Sequence, residues 1–268
     1  KNKASLSTNI TMGIQHLLTM VPGSIAVPLI LGNAMGLDAK TTSFLVAANL
    51  FTSAVAILIQ VYGLGKFIGS RLPIVLGSAF APLGPMILIG NQYGLPTLFG
   101  SVIASGIVMF IVCFYINKII KFFPAVVVGS FVTLIGISLA PTAFNDLAGG
   151  YGSANFGSIS NILLGLAVLM IIVLLNRFGK GGVQSVSLLL GLAVGTVISI
   201  PLNMLDLSPV KSAGYFELIT PFKFGIPEFR MDAVFIMVLF CVINMIQCIG
   251  VYAFLDDVCN TETDTKTK

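Results

Sequence analysis

Residues 71–90 read RLPIVLGSAFAPLGPMILIG, an apolar run that carries Pro73, Pro82 and Pro85 together with Gly77, Gly84 and Gly90. Proline removes a backbone donor and glycine weakens a helix, so the pattern opposes an unbroken helix across this stretch. On both sides the chain is just as apolar, and the stretches between the runs are short except for 144–157 and 201–231. Overall 56% of residues are hydrophobic and 9% charged, and the mean hydropathy is +1.02. A soluble domain carries about 25% charged residues, so that class is excluded.

Working outward, eight runs are each long enough to cross a bilayer, which takes about 20 residues per helix: 11–31, 40–62, 72–90, 96–115, 124–143, 158–175, 183–200 and 232–254. None alternates polar and apolar residues with a period of two, which excludes transmembrane barrel strands. Helices satisfy their own backbone groups inside lipid, so an all-α polytopic membrane protein is expected. The broken third segment then has two readings. One is a proline-kinked packing helix. The other is a binding site, because irregular backbone at membrane depth is tolerated where it lines a cavity, and secondary transporters place sites at such breaks.

The net charge of +4 is spread in a way that points to topology rather than to nucleic acid. With the N-terminus placed in the cytoplasm, Lys1, Lys3, Lys66, Arg71, Lys118, Lys121, Arg177, Lys180, Lys266 and Lys268 fall inside. Lys40, Lys211, Lys223 and Arg230 fall outside, three of them in the long 201–231 loop. Ten against four follows the positive-inside rule. No basic patch is left that needs an acidic partner.

Cys113, Cys241 and Cys248 lie within spans and Cys259 on the cytoplasmic side, with neither a disulfide pair nor metal-ligand spacing among them. The first span lacks a small-residue cleavage site and reads as a retained helix. The chain starts at Lys1 and ends in the polar tail DDVCNTETDTKTK, and both ends read as cut. Gly-rich stretches at 63–69 and 179–182 match no full nucleotide motif and read as turns. No cofactor is expected.

Three polar features stand out in the spans. His16, the sole histidine, sits in GIQHLLTM (13–20). It reads either as a functional intramembrane group or as a residue that hydrogen-bonds a neighbouring helix. Asn244, Gln247, Cys248 and Val251 follow i, i+3, i+4, i+7 spacing and share one helix face. By spacing alone Gln247 is a packing amide or a ligand. Acids are nearly absent: Asp232 opens the last span, and Asp256 and Asp257 lie past its end. No paired acids, metal cluster or nucleophile–base set appears, which disfavours an enzyme.

Several stretches together resemble the nucleobase–ascorbate transporter family, the second type of nucleobase–cation symporter. They are GIQHLLTM with VPLILG (27–32), GLGKFIGSRLPIVLGSAFAPLGPMILIG (63–90), FPAVVVGSFVTLIGISLAPTAFNDLAGG (123–150) and MIQCIGVYAFLDD (245–257). They occur in the family's order, and the wording is nearest its xanthine and uric acid permeases.

The resemblance implies fourteen helices in two inverted seven-helix repeats, of which this chain holds the first repeat and the eighth helix. Residues 1–115 would be core-domain helices 1–4. Residues 116–231 would be gate-domain helices 5–7 with the long outside loop. Residues 232–268 would be core helix 8 and a cut cytoplasmic tail. Substrate-binding residues carried over are Ser78, Ala79 and Phe80 on the strand-like stretch, His16 and Gly23 on the first helix, and Gln247 and Val251 on the eighth.

The implied activity is ion-coupled import of a purine nucleobase across the cell membrane by alternating access. The base, the choice of H+ or Na+, and homodimerisation stay open. Alternatives are a non-transporting fragment or relative, and an anion carrier of the sulfate-permease type. The sequence departs from the family where Gln247 stands in place of its usual Glu and Val251 in place of a polar residue. The tenth helix lies outside these 268 residues.

Overall fold

The computed structural model describes residues 6–65, 68–72, 74–119, 125–150, 153, 155–205 and 218–259, and no side chain from residue 250 onward. Pro73, Lys1, Lys3, Lys66, Lys121, Lys211, Lys266, Lys268 and the side chains of Val251, Asp256, Asp257 and Cys259 therefore lie outside the described residues.

Ten helices form among the described residues: α1 (Leu6–Ala34), α2 (Ala39–Tyr62), α3 (Leu83–Tyr93), α4 (Leu95–Cys113), α5 (Ile116–Ile119), α6 (Ala125–Leu147), α7 (Ile159–Phe178), α8 (Gly182–Ser185), α9 (Ser187–Ser199) and α10 (Met231–Cys259). Each of the eight apolar runs holds helix, the third over only part of its length. Five of these helices are long and apolar enough to cross a membrane, as a multi-pass membrane protein requires.

The third run is irregular only in its first half, and Gly84, Pro85 and Gly90 lie within the helix that follows, Pro85 in the first turn, where its missing N–H costs no helical bond. Residues 74–79 are irregular, and α3 starts only at Leu83, directly after Pro82. Eleven helical residues span about 16 Å, roughly half a bilayer core. Elsewhere local signals set the ends. Asp38 caps α2 by accepting from the Thr41 N–H at 3.3 Å. Gly63, at φ 74, ends the same helix and donates its N–H to the Ile59 carbonyl.

The best-buried core gathers α1, α3, α4 and α10. Val27 and Leu31 meet Leu83 and Ile89, Leu98, and Ala233 with Met237. A separate seam joins α7 to α9. On α9 the buried residues are Ser187, Gly191, Gly195 and Ser199, small residues every fourth position. A Cβ on Gly191 would overlap Ile172, and one on Gly195 would meet Val168 at 2.6 Å. Lipid tails are as apolar as leucine, so helices in a membrane associate by close packing, and small residues permit it. α7 itself has no buried residue.

Candidate functional site

The irregular stretch between Arg71 and α3 is tied to the first two helices through one amide. Asn49 on α2 donates from Nδ2 to the Ser24 carbonyl of α1 at 2.8 Å. Its Oδ1 accepts from the Ser78 hydroxyl at 2.5 Å. Ser24 itself is 1% exposed, and its Oγ has no partner among the described residues. A Cβ at Gly77 would stand 2.7 Å from that oxygen, so glycine lets the stretch lie close against α1.

Beside this junction is a cavity of about 670 Å³. Its walls come from α1 (Val27, Pro28, Leu31), α2 (Phe44, Ala48, Asn49), Ser78 and Ala79, α4 (Phe99, Val102, Ile103) and residues 219–227. The lining is mostly apolar, with Asn49, Ser78, Thr52 and Thr220 as polar points and Lys223 as the charged one. Three rings form one side. Phe99 stacks on Phe224 with centroids 5.6 Å apart, and Phe44 meets Phe224 edge-on at 5.5 Å. The Lys223 Nζ lies 3.7 Å from the centre of the Phe44 ring, a cation–π contact. A cavity of this size, with flat rings and few polar groups, suits a small planar molecule with hydrogen-bonding edges.

The segment that closes the cavity is pinned to α4. The Glu228 N–H donates to the Pro96 carbonyl at 3.1 Å, and Thr97 Oγ1 donates to Glu228 Oε2 at 3.1 Å. Just beyond, the Tyr93 hydroxyl donates to Asp232 Oδ2 at 2.7 Å while the Arg230 guanidinium lies 4.1 Å from the Tyr93 ring centre. The Asp232 carboxylate beside it raises the Arg230 pKa further. These contacts join the ends of α3, α4 and α10.

A second cavity, of about 560 Å³, opens between the ends of α1, α6, α7 and α9 and is polar, with Asn33, Asp146, Ser153, Asn155, Asn161 and Asn203 in its wall. Among the described residues no three His, Cys, Asp or Glu side chains come together to hold a metal.

Of the residues expected at a binding site, Ser78 and Ala79 line the larger cavity. Phe80 is 41% exposed and lines neither. Gly23, on α1, is half-buried with nothing within 4 Å of an added Cβ. His16 is exposed two turns earlier on α1, and Gln247 is half-buried on α10; neither lines the two cavities. The structure thus places Ser78 and Ala79 in one wall and Phe80, Gly23, His16 and Gln247 outside it, while the Val251 side chain lies outside the described residues. Asn49 was missed by the sequence reading. Its only signal there was an amide near the middle of the apolar 40–62 run.

A family model described as "Permease family" matches residues 7–268. The chain is 45% identical over 258 residues to the xanthine permease of Bacillus subtilis, covering 95% of this chain and 59% of that protein. It is 42% identical over 255 residues to the uric acid permease PucK of the same organism, with 95% and 59% covered. It is 34% identical over 251 residues to the uric acid transporter UacT of Escherichia coli, with 93% and 52% covered. The chain therefore spans under two thirds of the length of these relatives.

Proposed function

The chain belongs to the permease family whose model it matches over residues 7–268, a family of transporters rather than enzymes, and from that premise we propose that it forms part of a purine nucleobase transporter of the xanthine and uric acid type. In this reading it supplies the first seven-helix repeat and the eighth helix of a 7+7 inverted-repeat carrier. Residues 1–115 and 232–268 belong to the core domain and 116–231 to the gate. The N-terminus faces the cytoplasm of the cell, as the Lys and Arg distribution favours.

Transport is ion-coupled alternating access, in which the core rocks against the gate around a site at a broken helix. The observation that carries the reading is the unwound third segment, whose Ser78 and Ala79 form a wall of a cavity large enough for a purine. Main-chain amides of the unwound stretch offer hydrogen bonds to the base edge, and Phe80 offers a ring to flank its face. Gln247 donates and accepts from α10, with His16, Gly23 and Val251 bordering the path. Uptake of radiolabelled xanthine, urate and uracil by the complete gene product tests the function. Failure of purines to enter or compete would overturn it, and unchanged uptake in both Phe80→Ala and Gln247→Ala would overturn the site.

A second reading concerns the 268-residue chain on its own, which spans 59% of the xanthine permease it matches. In that reading it inserts in the membrane but does not transport. Expressing residues 1–268 beside the complete product distinguishes the two: purine uptake by the shorter chain would exclude it.

A further inference from the structure

α1 runs through Pro28 without a break. Proline has no N–H, so the carbonyl four residues earlier, that of Ser24, receives no helical hydrogen bond. The donor that reaches it is the Asn49 Nδ2 of the neighbouring helix, at 2.8 Å. The other end of the same amide accepts from Ser78, the residue where the irregular stretch meets the cavity. At membrane depth an unsatisfied carbonyl is costly, and irregular backbone survives only where protein or water satisfies it. One side chain therefore serves both defects, the proline-freed carbonyl of α1 and the unwound third segment. Gly77 adds the close approach, since any Cβ there would press on the buried Ser24 Oγ.

We propose that Asn49 is the positioning residue of the unwound stretch: its carboxamide clamps Ser78 to the turn of α1 whose carbonyl Pro28 frees, so that stretch and helix form one piece and Ser78 and Ala79 are held in the cavity wall. The inference rests on the reading that this wall contacts substrate. The role needs a donor and an acceptor together. Ionised aspartate accepts only, and leucine does neither.

The test uses the complete gene product with Asn49→Asp and Asn49→Leu, each with and without Pro28→Ala. Alanine at 28 returns an N–H to the Ser24 carbonyl, replacing the donor that Asn49→Asp lost while its carboxylate still accepts from Ser78. The expectation is that Pro28→Ala restores Asn49→Asp and does not restore Asn49→Leu. Two readouts are taken. The first is KM against maximal rate for xanthine uptake, where Asn49→Leu raises KM roughly tenfold, the scale of a lost buried hydrogen bond. The second is the rate of thiol labelling of Ala79→Cys in a background with the native cysteines replaced by alanine, where each unrescued Asn49 variant alters the rate.

Unaltered labelling in the Asn49 variants overturns the proposal, as does equal rescue of both by Pro28→Ala. Altered labelling with unaltered KM upholds the clamp and overturns instead the assignment of this wall to substrate. If Asn49→Leu does not fold, the Asn49→Asp and Pro28→Ala/Asn49→Asp pair decides the question by the same readouts.

Discussion

Gly100 on α4 lies directly beneath the main chain of Glu228, so closely that a Cβ built on it would overlap the Glu228 carbonyl. Glu228 is held there by its N–H to Pro96 and by Thr97, and neither backbone can yield without breaking those bonds. Gly100→Ala is expected to lower stability by about 1–3 kcal/mol, as overpacking of a tight contact does. Gly106 on the same helix has open space around it, and Gly106→Ala should instead gain about 0.5–1 kcal/mol from helix propensity. Thermal melting in detergent compares the two; equal Tm values would contradict the contact.

The small-residue seam of α9 makes a second prediction. A leucine at Gly191 has no room beside Ile172, and α7 would have to move off. Gly191→Leu should cost about 1–3 kcal/mol, and Ile172→Ala should recover part of it. Independent, additive effects of the two changes would show that the residues are not in contact.

Asp38 gives a dependence on pH. Its carboxyl is held below its ordinary value by hydrogen bonds from Thr41, first from the side chain and then from the backbone N–H. A depressed carboxylate contributes stability that is complete above the unfolded value, about 3.9, and is lost as pH falls through the folded value. The Tm difference between the native chain and Asp38→Ala should therefore be present at pH 7 and shrink in that acidic window. A constant difference at all pH values would rule the cap out as the cause.

Gln247 makes the prediction that bears most on coupling. Glutamine cannot release a proton, so on the proposed reading purine uptake responds to pH less steeply than in a relative with Glu at this position. Gln247→Glu should steepen the response. An identical pH profile in the variant would remove Gln247 from the coupling path.

Much of the architecture was legible along the chain because lipid enforces it locally. Most apolar runs became one helix with ends moved by a few residues, since the backbone must satisfy itself within the run, while 72–90 is helical only from Leu83 and 183–200 is divided between α8 and α9. That the third run would be interrupted was legible from its prolines and glycines, but where it breaks was not, since Gly84, Pro85 and Gly90 lie within α3 and the irregular residues 74–79 hold only Gly77. The lining of the larger cavity was legible only in part. Ser78 and Ala79 reached a cavity wall, but Phe80 and Gln247 did not, and nothing in the 40–62 run announced what Asn49 does. Its partners, Ser24 and Ser78, lie 25 and 29 residues away. No periodicity connects such positions.

The sequence by itself determined that this is a helical membrane chain, where its helices lie, and that the third is interrupted, because composition, proline and glycine act on the residues beside them. Only the tertiary structure decided which helices share a core, that α9 packs on α7 through Gly191 and Gly195, and that the carbonyl freed by Pro28 is met by Asn49. Those outcomes depend on which surfaces fit closely enough to satisfy buried polar groups and fill space, and that fit exists only once distant segments are brought together.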